Sequence, residues 1–294
     1  MGYNTLQKIL IITGCIFVCF LAGNIISSII MLIFNVQLSE ISNWTPDMAM
    51  EINVLKLTQV ISSFFVFILP PLIIPKIFGY DIPGFLKLKT SPNLGYYLLA
   101  FIFMVASMPL LNLIIEWNNS IKFPSGIEEL MRGMEESNAH ITQLMLAGNS
   151  VPDLVFNLFV IALIPAIGEE FLFRGLIQKY CFRFFKNHHL AILITAIIFS
   201  AIHFQFYGFI PRLLLGMFFG YLVYFSGSLY PAIFAHFANN SMAVIGHFFI
   251  GKWGIEEEIE TIGSQSSDIW YIVAGTIIAV IIGRFLFRKK ETEL

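Results

Sequence analysis

The stretch IALIPAIGEEFLFRGLIQKY, Ile161 to Tyr180, decides how the rest of the chain is read. It is apolar enough for a membrane interior, yet it holds two adjacent carboxylates, Glu169 and Glu170, and then Arg174. A charged side chain near a bilayer centre costs several kcal/mol on insertion scales. Three such groups in one span imply a function that uses them.

The composition agrees with a membrane setting. Of 294 residues, 57% are hydrophobic and only 12% are charged, against roughly 25% charged in soluble domains. The mean hydropathy is +0.79. The net charge of −2 says nothing about nucleic acid, and no basic run suggests it, so no nucleic-acid partner is expected. Cys15, Cys19 and Cys181 sit in or beside apolar segments without metal-type spacing and read as small packing residues. The apolar run from Lys8 to Phe34 is too long for a secretory signal core of about 7–15 residues. It reads as an uncleaved span, and the faint lipoprotein-like box before Cys15 is overruled by the continuing apolar run.

A spanning helix needs about 20 apolar residues. Eight segments meet that expectation: 8–36, 57–78, 96–117, 154–180, 190–205, 211–226, 231–250 and 269–287. The fold class is therefore all-α, a polytopic membrane protein of about eight helices with a polar cavity, in one integral domain. The fifth and sixth spans are short and closely joined, as in a helical hairpin. Pro70, Pro71, Pro75, Pro109 and Pro165 are expected to kink helices. One set of loops holds Lys8, Lys76, Lys87, Lys89, Lys179, Arg183, Lys186, Arg284, Arg288, Lys289 and Lys290. The other holds Lys56, Lys122, Arg132, Lys252 and, at its margin, Arg212, with the acids Glu128, Glu129, Glu135, Glu136 and Glu256–Glu258. The positive-inside rule places both termini in the cytoplasm, in a plasma membrane. In the loop 118–152, Ser125 and Glu128 have the spacing of a capping box, and Ile127, Leu130, Met131 and Met134 recur at helical spacing. An amphipathic helix on the outer membrane surface follows, with a solvated acidic loop as the competing reading.

Three spans carry polar groups that lipid would reject: Glu169, Glu170 and Arg174; His203; and His236, Asn239 and Asn240. Residues four apart share a helix face, so Glu170 reaches Arg174 and His236 lines up with Asn240. Glu169 is rotated about 100° from Glu170, so the two carboxylates need not do the same job. Taken singly, each group has an ordinary structural reading: an ion pair, a satisfied histidine, interhelical amide glue. Together they read as a cavity that activates water. Burial disfavours an ionised carboxylate and makes it a better general base. Histidine shares the proton traffic, and further donors stabilise an oxyanion. A nucleophile elbow, a motif cysteine and HExxH are all lacking, so water attacks without an acyl intermediate.

The motifs EEFLFR, FSAIH and HFANN, in that order, resemble the EExxxR, FxxxH and HxxxN signatures of the CPBP intramembrane protease family. That family includes type II CAAX prenyl endopeptidases and bacterial Abi or bacteriocin-immunity proteases. The resemblance covers about residues 151–250, the expected catalytic core, through Glu169, Glu170, Arg174, Phe199, His203, His236 and Asn240. It implies an eight-span fold with a site open to the cytoplasm. It implies Glu169 as the base, aided by His203; His236 and Asn240 as the oxyanion hole; and Glu170 and Arg174 as organisers. No cofactor is favoured; zinc on Glu169, His203 and His236 is the alternative. The expected partners are the bilayer and a membrane-associated protein or peptide substrate. A non-catalytic binding or immunity protein and a transporter are the competing classes. Polar groups confined to one half of the chain count against the transporter.

Overall fold

The structure is a computed structural model that describes residues 3–253 and 268–288. Glu256–Glu258, Lys289 and Lys290 lie outside the described residues, so their place in the charge pattern rests on sequence alone. Every regular element among the described residues is helical, and the polytopic all-α class holds. The long helices are α1 (Thr5–Ile33), α2 (Ala49–Ile77), α3 (Leu94–Asn119), α4 (Ser125–Leu146), α5 (Val151–Phe185), α6 (His188–Ala201), α7 (Phe209–Ser226), α8 (Tyr230–Trp253) and α9 (Ile269–Leu286).

Six of these, α1, α2, α3, α5, α7 and α9, are long and apolar enough to cross a membrane. The expected count of eight is not reached on that criterion, for two physical reasons. The segment read as a fifth span ends at Ala201, giving a helix of only 14 residues. The seventh, α8, has 24 residues, but His236, Asn239, Asn240 and His247 interrupt its apolar character. Large apolar side chains face outward along α1 and α9, as a lipid-facing surface requires.

Helix α5 is the axis of the fold. Its 35 residues extend about 50 Å at 1.5 Å per residue, beyond a hydrocarbon core of roughly 30 Å. Glu169 and Glu170 therefore fall near its middle. The helices α6, α7 and α8 surround it, while α3 and α9 pack on each other. The hairpin of α6 and α7 is as expected, closed by the turn 202–208. Gly168 permits close approach of α2, since a Cβ there would lie 2.9 Å from the Phe67 Cβ.

Two local expectations are corrected. The capping box at Ser125 is absent: Pro124 is the N-cap of α4 and makes no side-chain cap. Glu128 turns back to Arg132 at 2.7 Å and to the Phe123 N–H instead. The Arg132 hydrogen bond holds the Glu128 carboxyl below its usual range. Lys56, counted as a loop charge, is buried inside α2. It donates to Asn157 Oδ1 at 2.7 Å and to the Ala147 carbonyl at 3.3 Å, tying α2 to the start of α5.

Candidate active site

Helix α5 departs from α-helical register twice, with π-turns at Leu158–Leu163 and Phe171–Ile177 on either side of the two glutamates. Such bulges are rare and gather at functional sites. Pro165 lies between them and has no N–H to give to the carbonyl of Ile161 four residues back. Asn240 of α8 donates to that carbonyl at 3.4 Å, and its Oδ1 accepts from Asn239 at 3.3 Å. Asn240 thus compensates the break in α5, as amides in membrane helices often do.

The two carboxylates have different surroundings. Glu170 is fully buried, and its Oε1 accepts from Arg174 Nη1 at 2.7 Å and from His236 Nδ1 at 2.9 Å. The i, i+4 spacing makes the first contact; the second crosses from α8. Arg174 also donates from Nη2 to the Gly216 carbonyl of α7 at 2.8 Å. Its guanidinium lies 4.6 Å from the Phe199 ring and 5.3 Å from that of Phe219. The His236 ring stacks on Phe219 with centroids 5.0 Å apart. Arg174 therefore binds α5 to α6 and α7 as well as to Glu170.

Glu169 is only 9% exposed, and its Oε2 has no hydrogen-bond partner among the described residues. His236 Nε2 lies 3.8 Å from that oxygen, beyond hydrogen-bond length. His236 thus presents one ring nitrogen to each glutamate. A carboxylate oxygen that already accepts from Arg174 can only accept from Nδ1, so Nδ1 carries a proton. In the neutral ring Nε2 is then bare.

His203 lies beyond the end of α6, in the turn, with its Nδ1 donating to the Phe199 carbonyl at 2.8 Å. That bond leaves Nε2 as the free acceptor of a neutral ring. The turn is held from α3, where Asn118 donates to the carbonyls of Phe206 and Tyr207 at 2.9 and 2.7 Å. A cavity of about 750 Å³ opens between the turn, at His203 and Phe204, and one stripe of α4, at Leu130, Gly133, Met134 and Ser137. Glu169, Glu170, Arg174 and His236 are brought together around Phe199 and Phe219. His203 stands at the cavity side of Phe199, and Asn240 lies one turn away on α8. As a zinc set the donors do not fit: among the described residues no three His, Cys, Asp or Glu side chains converge on one point.

Sequence reasoning did not place Arg212 here. By sequence it reads as a loop charge, but it sits in the first turn of α7, and its Nη2 donates to Gln205 Oε1 at 2.6 Å, in the turn that carries His203. A cation inside the run FYGFIPRLLLG was the available signal. Nor did spacing alone locate the Gly216 carbonyl or the Phe219 ring, which lie on a different helix.

Residues 151–242 match the family described as Type II CAAX prenyl endopeptidase Rce1-like, in accord with the resemblance to the CPBP family. The matched region contains all three motifs. No curated protein and no solved structure matches the chain.

Proposed function

We propose that this chain is an intramembrane endopeptidase that hydrolyses a peptide bond of a membrane-associated protein or peptide, with Glu169 activating the attacking water. The observation that carries this reading is the inequality of the two carboxylates. Glu170 is committed to Arg174 and His236, whereas Glu169 keeps an unpartnered oxygen. Glu169 takes one proton from water as the water oxygen bonds to the carbonyl carbon. The carbonyl π pair moves onto oxygen. The C–N bond then breaks, and the amine leaves with the proton from Glu169. In this reading His203, whose Nδ1 is committed to the Phe199 carbonyl, takes the second proton of the water on Nε2. Glu170 and Arg174 fix the ring of His236, and Asn240 holds α8 against the opened backbone of α5.

The reading takes residues 151–250 as the catalytic core of a single integral domain, with both termini on the cytoplasmic side of the plasma membrane. The cavity at His203 lies at the end of the bundle that carries α4. With cytoplasmic termini that end faces outward, which departs from the cytoplasmic opening the resemblance implies.

The test compares membrane proteomes of cells carrying the wild type and Glu169→Gln. Loss of a general base lowers the rate by about 10²–10⁴-fold. A cleaved species present with the wild type and absent with the variant is expected. A purified Glu169→Gln protein that cleaves that species at near wild-type rate would falsify the role of Glu169. Impermeant lysine labelling of the same intact cells reports the orientation: Lys122 is expected to react while Lys76 and Lys89 are protected, and the reverse pattern inverts the topology.

A further inference from the structure

The end of the bundle opposite His203 carries cations that the candidate active site does not use. Lys179 and Arg183 lie one helical turn apart near the end of α5 and sit on one aromatic platform. The Tyr80 and Phe85 rings have centroids 5.5 Å apart, and Phe85 and Tyr180 6.4 Å. Lys179 Nζ lies 3.8 Å from the centre of the Phe85 ring and also donates to the Phe85 carbonyl. The Arg183 guanidinium lies 5.4 Å from the Tyr80 ring and 5.0 Å from that of Tyr180. Lys87 follows Phe85 by two residues and completes the group. Its carbonyl accepts from the Leu229 N–H at 3.1 Å, and the Leu88 N–H closes the turn on the Pro83 carbonyl at 2.8 Å. In that turn Lys87 has a left-handed φ of 56°, at a place glycine usually takes.

The depth of this cluster is that of lipid headgroups. Lys179 is about 15 Å along α5 from Glu169 at 1.5 Å per residue, half of a hydrocarbon core of roughly 30 Å. Tyrosine rings are enriched at that level. Ile77 and Phe184, 43% and 62% exposed, flank the platform in the chain and turn apolar side chains outward.

Among the described residues no carboxylate lies within ion-pair distance of Lys87, Lys179 or Arg183. Asp81, the acid of this segment, is taken by Lys89 at 2.7 Å and by the Gly84 N–H at 2.9 Å. Like charges four apart on a helix repel. The positive-inside rule and the dipole of α5 both favour cations at this end, and the exposed Lys76 and Lys186 satisfy them from the surface. Neither effect draws three cations partly into the bundle and fixes them side by side. A shared anion does: the planar fork of Arg183 fits two phosphate oxygens, and the lysines add point charges.

We propose that Lys87, Lys179 and Arg183 form a binding site for the phosphodiester headgroup of an anionic bilayer lipid, with its acyl chains against the outer faces at Ile77 and Phe184. Basic pockets at the ends of membrane helices suit such headgroups. The bound lipid ties α5 to the segment 80–88. The site stands independently of the endopeptidase reading.

The test uses the purified full chain in detergent with three probes: phosphatidylglycerol, phosphatidylcholine with the same acyl chains, and inorganic phosphate. Native mass spectrometry reads the bound lipid, and tryptophan fluorescence reads the melting temperature. The wild type is expected to bind phosphatidylglycerol on the order of 10²-fold more tightly than phosphatidylcholine, about 5-fold for each cation. Arg183→Gln and Lys87→Gln should each lose about 5-fold of that preference, and the double variant about 25-fold. Lys76→Gln, which removes an exposed charge at the same end, should keep the preference. Should Arg183→Gln fail to fold, Lys87→Gln decides the matter, because its side chain makes no ion pair among the described residues. Equal binding of the two lipids by the wild type, an undiminished preference in Lys87→Gln, or an equal loss in Lys76→Gln overturns the proposal. Inorganic phosphate that raises the melting temperature as far as phosphatidylglycerol does would assign the cations to a free anion and overturn the lipid.

Discussion

Arg174→Ala is expected to destabilise the protein strongly, apart from any effect on turnover. The pair it breaks has both members inside the bundle, Glu170 at 0% and Arg174 at 3% exposure. The substitution removes the 2.7 Å hydrogen bond to Glu170, the 2.8 Å bond to the Gly216 carbonyl and the contact with Phe199. Glu170 keeps a single partner, His236 Nδ1 at 2.9 Å. Removing one member of a buried pair costs about 3–5 kcal/mol, because the remaining charge is left uncompensated. At about 2–4 °C per kcal/mol for a chain of this size class, the melting temperature should fall by on the order of 10 °C. The assay is thermal unfolding followed by tryptophan fluorescence in detergent. The pair Arg174→Met with Glu170→Gln removes both charges, so it should melt closer to the wild type than Arg174→Ala does. Melting of Arg174→Ala within a degree of the wild type would refute the account of Arg174 as the tie between α5, α6 and α7.

Two further outcomes test the packing and the outer helix. In α9, a Cβ on Gly275 would clash with the Ala106 carbonyl oxygen of α3. Gly275→Ala should therefore force these helices apart and lower the melting temperature by several degrees, at about 1–3 kcal/mol for overpacking; an unchanged melt would mean that α3 and α9 do not touch there. Glu128, whose pKa is lowered chiefly by the Arg132 hydrogen bond, gives its support to α4 in full above the ordinary carboxylate range. That support is lost as pH falls through the depressed pKa. Amide exchange in the first turns of α4 should rise on acidification in the wild type. In Arg132→Ala it should be high already at neutral pH; identical exchange in the two proteins at neutral pH would show that the pair does not hold this turn.

Membrane residence, helical class and the three motifs were legible in the chain because each depends on short-range chemistry. Apolar runs exclude water wherever they fold, and i, i+4 spacing brings Glu170 to Arg174 whatever surrounds them. The 100° step between adjacent helical residues already separated Glu169 from Glu170. Span counting was less secure, since it treats every apolar segment alike. It missed that the helix before His203 stops at Ala201. The amphipathic pattern of 125–146 was readable, but its capping was not, because Pro124 took the N-cap position.

Only the tertiary structure decided which carboxylate is held and which is free. That depends on the rotation of α8, which sets His236 Nδ1 on Glu170 across 66 residues of sequence. The same rotation sends Asn240 to the carbonyl that Pro165 leaves without a donor. Arg212 is marked locally only by the apolar run around it, and its partners are not. Its setting follows from the turn 202–208, which Asn118 holds from α3 and in which Gln205 accepts from Arg212. Composition and periodicity act within one helix, so they chose the residue types of the site. Contacts between helices, set by rotation and tilt that no single segment encodes, assigned their partners.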